Sequence, residues 1–289
     1  MPDLPLGAVI AFDFKAWDLR EEIAILHHAR ARRVQVYRNY TEDHPADHVQ
    51  RTLNAEGFTV DSLHGYFALE GFEGPPCDLS AEDEAERGAA LEIMRGEAQY
   101  ARALGCTDII IHPAGLGRTE NDPFRPDALA RSAETLARIG EAAGARFLLE
   151  NMPPLRFGRD ARTLRRIVDR IAGPNLGLAF DSGHAVLASD PVEVIHTMGP
   201  RMWGVHLHDN LGDEDAHLLP GMGIIDFEAV ARALADVGFG GTFLLEIYRP
   251  TDEVRRDLTP ARLAYIERLR RIASSPETGN ARNRFHDRQ

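Results

Sequence analysis

Histidines and carboxylates recur at the ends of short apolar stretches of this sequence. The stretch at 205–210 reads VHLHDN, and the stretches at 147–150 and 243–246 both read FLLE. An ionised carboxylate at the end of a buried strand is costly unless it is paired or coordinated. A lone histidine in such a place is most simply a hydrogen-bonded core residue. Because six apolar stretches end in this way, we interpret the pattern as a set of metal ligands.

Eight apolar stretches alternate with segments of helical periodicity along the chain. The stretches that we predict to be strands lie at 7–14, 33–37, 58–67, 108–113, 146–152, 176–184, 202–210 and 241–247. Helices are predicted between them, for example at 80–105, which begins with Ser80 as N-cap and stops at Gly105, and at 125–144, which stops at Gly144.

Eight strands alternating with helices over about 250 residues predict an α/β fold, a single-domain (β/α)8 TIM barrel. We place the barrel at 1–273 and expect the polar segment 274–289 to be a mobile tail. A doubly wound sheet is the alternative. It would more naturally show a glycine-rich phosphate turn after its first strand, where this chain has FDFKAWD at 12–18.

Composition excludes several classes of protein. The 289 residues are 44% hydrophobic, yet no stretch is long enough to span a bilayer, and no basic segment precedes an apolar one at the N-terminus. The two cysteines form no C-x-x-C motif, and Lys15 is the only lysine, so a cysteine-based zinc site and Schiff-base chemistry are both disfavoured. The net charge of −12 argues against a nucleic-acid partner. We expect a cytoplasmic protein without a membrane segment, and a homo-oligomer is left open.

In a TIM barrel the active site forms at the carboxyl ends of the strands, where these polar side chains would converge. The nine candidate ligands are His64, His112, Glu150, Asp181, His184, His206, Asp215, His217 and Glu246. Strand alternation directs Glu150, Asp181 and Glu246 into the barrel at one level. Histidine and carboxylate ligands without cysteine predict a divalent-metal site, with Zn²⁺, Mn²⁺, Co²⁺ and Mg²⁺ all open.

Two residues of the VHLHDN stretch are assigned roles other than metal ligand. His208 shares a strand face with His206 and is expected to contact the substrate in the pocket. Asp209 alternates away from that face and could orient an imidazole from behind. Further along the chain, Asp226 precedes FEAVARAL and is expected to cap a helix rather than bind metal.

Four further residues are candidates for substrate binding. Arg156 and Arg249 follow the fifth and eighth predicted strands and could hold an acidic or phosphorylated end of a substrate. For both, an ordinary surface arginine is the simpler interpretation. Trp17 follows the first predicted strand and Phe67 ends the third, and both are expected to contact the substrate.

The motifs taken together resemble the xylose isomerase-like barrel superfamily, which includes the sugar phosphate isomerases and epimerases and the endonuclease IV (AP endonuclease family 2) proteins. The resemblance covers about residues 7–272. The motifs on which it rests are LLEN at 148–151, FDSGH at 180–184, VHLHDN at 205–210, HLLPGMGIIDF at 217–227 and LLEI at 244–247.

The resemblance implies a metal held by Glu150, Asp181, His206 and Glu246, with the two glutamates flanking the reacting carbon of the substrate. It places His184 near the substrate or a second metal, so that Glu150, Glu246 and His184 are the candidate catalytic residues. The other four candidate ligands, His64, His112, Asp215 and His217, resemble the additional ligands of the trinuclear zinc site of endonuclease IV, so the resemblance implies one to three divalent ions.

The sequence departs from each branch of this superfamily, and these differences favour some functions over others. After Glu150 this chain has NMPPLRFG, where endonuclease IV proteins have an Ala-Gly-Gln-Gly stretch that contacts DNA. Ketose 3-epimerases carry a second glutamate and an arginine where this chain has Arg156 and Gly212. We predict a metal-dependent isomerase or epimerase of a small sugar, sugar phosphate or keto-acid, acting by proton transfer next to a metal-chelated carbonyl. The alternatives are a zinc phosphodiesterase acting on abasic DNA and a metal-dependent lyase or dehydratase.

Overall fold

The computed structural model describes residues 3–12, 18–38, 44–67, 75–115, 125–154, 158–171 and 173–275. Its strands are β1 Leu6–Phe12, β2 Arg33–Arg38, β3 Thr59–His64, β4 Asp108–Ile111, β5 Arg146–Glu150, β6 Leu176–Asp181, β7 Met202–His206 and β8 Phe243–Leu245. Its α-helices are α1 Leu19–Ala29, α2 Ala46–Ala55, α3 Glu84–Leu104, α4 Pro126–Ala143, α5 Ala161–Asp169, α6 Ser182–Ala188, α7 Pro191–Met198, α8 Phe227–Asp236, α9 Thr251–Asp257 and α10 Pro260–Ala273.

The strands form one parallel sheet that nearly closes into a barrel. Each strand pairs with the next along the chain, and β8 returns to pair with β1. The seam between β7 and β8 is bridged just beyond the end of β7. There the Leu207 amide donates to the Leu244 carbonyl at 2.9 Å, and the Glu246 amide donates to the Leu207 carbonyl at 3.2 Å. The single-domain (β/α)8 TIM barrel predicted from the sequence is confirmed.

Several element ends differ from the predicted ones. Apart from β2, the strands stop earlier than predicted, and β3, β5, β6 and β7 end on the site residues His64, Glu150, Asp181 and His206. Helix α3 begins at Glu84 and is capped by Asp83, whose carboxylate accepts from the backbone of the first turn. Ser80, the predicted cap, is buried and donates to Asp78 at 2.8 Å. The predicted stops at Gly105 and Gly144 are confirmed, since both residues adopt positive φ at helix ends.

The predicted cap at Asp226 is confirmed as well, because its carboxylate accepts from the Ala229 amide at 3.0 Å. Helix α10 ends at Ala273, and Ser274 accepts a hydrogen bond from the Leu4 amide. The rest of the predicted tail, from 276 onward, lies outside the described residues. Among the helices that the structure describes, none is both long and apolar enough to cross a membrane.

A layer of small and branched side chains fills the barrel beneath the strand ends. Ile110, Leu148 and Ala179 pack together there, and a side chain added at Gly204 would meet all three. Each of these four residues precedes a candidate ligand by two positions. Because successive side chains alternate between the two faces of a strand, the layer above it consists of His112, Glu150, Asp181 and His206.

The ends of β6 and β7 interlock through side-chain to backbone contacts. The Ser182 hydroxyl donates to the His208 carbonyl at 2.7 Å and accepts from the His208 amide at 2.9 Å. The His208 ring lies against the Cα of Gly183, where an added Cβ would be 2.0 Å from Cε1 of the ring. The FDSGH and VHLHDN motifs therefore fit together only with glycine at 183.

Substituting Gly183→Ala is expected to displace the His208 ring and to lower the free energy of unfolding by about 1–3 kcal/mol, as overpacking does in a tight interior. Gly88→Ala in α3 is the matched control, since nothing lies within 4 Å of the Cβ it would add. That control should raise the free energy of unfolding by about 0.5–1 kcal/mol. Urea unfolding of both variants measures this, and equal stability of the two would contradict the interlock.

Candidate metal centre

The polar strand ends surround a cavity of about 260 Å³ at the carboxyl end of the barrel. One part of its lining is apolar or aromatic and consists of Tyr37, Phe67, Met152, Pro153 and Tyr248. The other part consists of ionisable side chains, namely His64, His112, Glu150, His184, Asp215, His217 and Glu246. This position at the strand ends is where TIM barrels place their active sites.

Four buried side chains form the centre of the site: Glu150, Asp181, His206 and Glu246. Their ligand atoms all lie within 4.8 Å of one another. The Nδ1 atom of His206 lies 2.7 Å from Glu150 Oε1, 3.2 Å from Glu246 Oε1 and 3.8 Å from Asp181 Oδ2. Three carboxylates thus converge on one ring nitrogen, in a position where a cation lowers their mutual repulsion.

The pKa shifts of these groups reflect that concentration of charge. Burial lowers the pKa of His206, but the Glu246 and Glu150 carboxylates outweigh burial and raise it to about 9. Burial raises the pKa of Glu150, but the His206 and His112 imidazoles outweigh burial and hold it well below its usual range. Burial raises the pKa of Glu246 above its ordinary value. The site therefore holds ionised carboxylate next to a cationic ring.

This donor set fits a divalent cation. Carboxylate oxygens and an imidazole nitrogen are the ligands that Zn²⁺, Mn²⁺ and related ions take in proteins. The Oε2 atom of Glu150 is buried and makes no hydrogen bond, although His112 Nε2 lies 3.3 Å away. A buried carboxylate oxygen without a hydrogen bond is costly, and coordination would satisfy it.

Three further histidines present one ring nitrogen each to this region. His64, His184 and His217 all direct Nδ1 at a backbone carbonyl, which can only accept, so Nδ1 of each ring carries a proton and Nε2 is the nitrogen that could bind a metal. The accepting carbonyls belong to Gly65 at 2.9 Å, Asn151 at 2.9 Å and Glu246 at 3.1 Å. This is how metal-binding histidines are commonly oriented.

Four outer histidines, these three and His112, fall into two groups around the central four. His64 and His112 approach Glu150 Oε2 from one side, at 3.9 and 3.3 Å. His184 Nε2 and His217 Nε2 approach Asp215 Oδ2 from the other, at 3.1 and 3.4 Å. The structure therefore brings all nine candidate ligands together at one end of the barrel.

His208 does not lie where the sequence predicted. It was expected to contact the substrate, but it is fully buried and is not part of the cavity wall. Its Nε2 lies 3.0 and 3.1 Å from the two oxygens of Asp181, and its ring stacks on His217 with centroids 4.1 Å apart. A geometric group of His208, His217 and Glu246 also has metal-binding spacing. His208 thus contacts the candidate ligands Asp181 and His217 from outside the cavity wall and itself has the spacing of a ligand.

The prediction that Asp209 orients an imidazole is wrong. Its buried carboxylate accepts instead from four backbone amides, those of Asn210, Gly221, Gly223 and Ile225, at 2.8 to 3.1 Å. The amide and carbonyl of Asp209 also pair with those of Leu218. These bonds fold the β7–α8 loop back on the strand end, which places Asp215 and His217 over the centre.

His217 adopts a backbone φ of 45°, in the left-handed region that residues other than glycine seldom occupy. The Leu218 pairing that follows it and the bond from its ring to the Glu246 carbonyl hold this conformation. Strained residues of this kind concentrate at functional sites.

The remaining predicted substrate residues divide into three cases. Phe67 lines the cavity, 4.7 Å from the His64 ring centroid. Arg249 does not line the cavity, because its guanidinium is bonded to Asp257 at 2.8 Å and Glu253 at 2.6 Å. This placement argues against a role in substrate binding. Trp17 and Arg156 lie outside the described residues.

Sequence reasoning missed Tyr37 and Gln35, which both point into the barrel from β2. The Tyr37 hydroxyl donates to Glu246 Oε1, and the Tyr37 ring stacks on His64 with centroids 4.2 Å apart. Gln35 is buried against His206 and Ser62. The available signal was strand alternation, which puts Gln35 and Tyr37 on one face of RVQVYR and requires a partner for a buried amide.

Known proteins share this fold and, in part, this sequence. An uncharacterized protein of Methanocaldococcus jannaschii is 33% identical over 191 residues, which cover 63% of this chain and 65% of that protein. An inosose isomerase of Bacillus velezensis is 28% identical over 233 residues, which cover 72% of this chain and 81% of that enzyme. A crystal structure of a D-tagatose 3-epimerase-like protein matches with a TM-score of 0.71 at 22% identity, over 90% of this chain and 98% of that one.

The chain spans between about half and two thirds of the length of the Methanocaldococcus jannaschii relative and of two further uncharacterized relatives. The sequence profile described as xylose isomerase-like TIM barrel matches residues 22–273, which is most of the chain. This protein belongs to the xylose isomerase-like TIM barrel family.

Proposed function

We propose that this protein is a divalent-metal-dependent isomerase or epimerase of a small carbonyl-containing sugar or cyclic polyol. The observation that supports this most directly is the pair of glutamates around His206. Glu150 and Glu246 approach the same ring nitrogen from two strands that are not neighbours, and both line the cavity. The inosose isomerase of Bacillus velezensis, a relative at 28% identity, suggests keto-polyols as the first compounds to test.

Glu150, Asp181, His206 and Glu246 would hold the metal, which when bound supplies a Lewis acid for the carbonyl and hydroxyl oxygens of the substrate. One glutamate accepts the proton from the carbon next to the carbonyl, and the other returns a proton to the same or the adjacent carbon. Tyr37 holds Glu246 Oε1 by a hydrogen bond, which leaves Glu246 Oε2 for proton transfer. Glu150 would bind the metal through one oxygen and move the proton with the other. His184 lines the cavity and is proposed to contact the substrate or an additional ion.

The cavity wall supports a neutral substrate. Among the described residues that line it, none is lysine or arginine. Phe67, Met152, Pro153 and Tyr248 provide an apolar face that can cover the carbon skeleton of a sugar and exclude water during proton transfer.

A metal-dependent phosphodiesterase is the second candidate. It is favoured by one observation, the convergence of His64, His112, His184, Asp215 and His217 around the central four. Nine ligands are more than one ion needs. A lyase that uses the same proton abstraction would differ from an isomerase only in its product.

The first functional prediction concerns proton exchange. The enzyme incubated in D₂O with Mn²⁺ or Co²⁺ and a panel of inososes, ketoses and aldoses should incorporate deuterium next to the carbonyl of at least one compound, and a chelator should stop it. Proton NMR follows the exchange together with product formation, which also detects a hydride shift or an elimination. If no compound exchanges or isomerises while abasic-site DNA is incised, the phosphodiesterase replaces the isomerase.

Glu150→Gln and Glu246→Gln are each expected to lower kcat by about 100- to 10,000-fold, because each removes a group that moves a proton. Steady-state assays on the compound identified by exchange, together with metal analysis of each variant, measure this. Glu141→Gln, an exposed substitution on α4, serves as control and should keep the wild-type rate. A wild-type rate in either active-site variant would refute the assigned roles.

Asp215→Ala and His217→Ala are each expected to reduce the metal-to-protein ratio while the protein stays folded, since these residues lie on a loop outside the barrel layers. Elemental analysis gives the ratio and circular dichroism checks the fold. Asp213→Ala, an exposed change on the same loop, is the control that should leave metal content unchanged. Unchanged metal content in the Asp215 and His217 variants would rule out coordination by this loop. Loss of the fold would contradict the premise that these residues lie outside the core.

A further inference from the structure

Gln35 is a buried amide on the inner face of β2 to which the proposed reaction assigns no role. Its side chain is 1% exposed. Its Oε1 lies 2.9 Å from Nε2 of His206, and its Nε2 donates to the Ser62 hydroxyl at 2.9 Å. Ser62 is equally buried, so both contacts are shielded from water.

The contact with Gln35 determines which nitrogen of His206 keeps its proton when a metal binds. A carbonyl oxygen can only accept, so Nε2 carries a proton, which it donates to Gln35 Oε1 at 2.9 Å. Without a metal, Nδ1 carries a second proton and donates to Glu150 Oε1 at 2.7 Å, with Glu246 and Asp181 oxygens at 3.2 and 3.8 Å. A metal can bind Nδ1 only in place of this second proton. A lone pair and three carboxylates repel one another unless a cation lies between them.

We propose that Gln35 is a positioning residue of the metal centre, which holds His206 with Nε2 protonated and Nδ1 available to the metal. In this orientation the Gln35 NH₂ group donates to the Ser62 hydroxyl, which can accept as well as donate. If the amide were turned over, its NH₂ group would donate to Nε2, the ring proton would move to Nδ1, and that proton would occupy the metal position. The inference rests on the metal centre of the proposed function but not on the reaction catalysed there.

The test compares Mn²⁺ binding by wild-type protein, Gln35→Leu and Gln35→Glu, with free Mn²⁺ measured by electron paramagnetic resonance. Gln35→Leu removes the acceptor and is expected to weaken one Mn²⁺ site by about 10- to 100-fold, as other losses of a ligand's supporting partner do. Gln35→Glu keeps an acceptor for the Nε2 proton and should stay within about threefold of wild type. Gln50→Leu, which removes an amide bonded to the Leu104 carbonyl far from the site, is the control that should bind as wild type does.

Equal weakening by Gln35→Leu and Gln35→Glu would reduce Gln35 to a packing residue and overturn the proposal, as would wild-type affinity in Gln35→Leu. Should Gln35→Leu fail to fold, long-range ¹H–¹⁵N NMR of the Zn²⁺-loaded wild type decides instead, because a proton on His206 Nδ1 contradicts the proposal. If wild-type protein bound neither Mn²⁺ nor Zn²⁺, the proposed metal centre and this inference would both be rejected. If the variants showed the expected order of Mn²⁺ affinities but the protein isomerised no compound, the role of Gln35 would stand and only the proposed reaction would be rejected.

Discussion

The concentration of buried negative charge at the barrel mouth is the constraint on which the rest of the site depends. Glu150, Asp181 and Glu246 are almost completely shielded from water, and their oxygens converge on one nitrogen of His206. Removing an ion from water costs several kcal/mol even after the protein relaxes. Such a cluster is stable only with positive charge among the carboxylates, supplied by protonated imidazoles or by a metal. The surrounding hydrogen bonds direct lone pairs and carboxylates at one point.

The barrel and the loop contribute differently to that arrangement. The backbone hydrogen bonds between β5, β6 and β7 fix the positions of Glu150, Asp181 and His206. The layer of Ile110, Leu148 and Ala179 packs beneath them. Asp215 and His217 depend instead on a loop whose shape is set by one buried carboxylate, that of Asp209, bonded to four amides. Ligands on strands are held rigidly. Loop ligands can be displaced without disturbing the core, so an additional ion could be lost while the central group persists.

The fold and the ligand set could be predicted from the sequence because both depend on local patterns. The FLLE stretches identify a carboxylate at the end of a buried strand, and period-two alternation gives its direction. The supporting residues could not be predicted in the same way. Asp209 lies close to the ligand His206 in the chain, yet three of its four amide partners are 12 to 16 positions away, at Gly221, Gly223 and Ile225. Only the fold of the loop brings them together.

The sequence around Gln35 contains a pattern that indicates a buried polar contact, although the contact itself was not predicted. A lone amide on the apolar strand RVQVYR shares the inner face with Tyr37, and a buried amide requires partners. The pattern gives the need for a partner but not its identity, because His206 lies 171 residues away in the sequence. His208 illustrates the same limit. Alternation correctly puts it on the face of His206, but whether its side chain lines the cavity depends on Ser182 and Gly183, which begin helix α6 after another strand.

The number of metal ions and the charge of the substrate are linked by this arrangement. Glu150, Asp181, Asp215 and Glu246 place four carboxylates around the cavity, and no lysine or arginine among the described lining residues offsets them. With one divalent ion and neutral imidazole ligands, negative charge remains in excess, which disfavours a phosphate and suits a neutral polyhydroxy carbonyl compound. With three divalent ions the balance reverses and an anionic phosphodiester becomes the better ligand. The same residues can therefore support either chemistry, and the affinity of the outer histidines for metal decides between them.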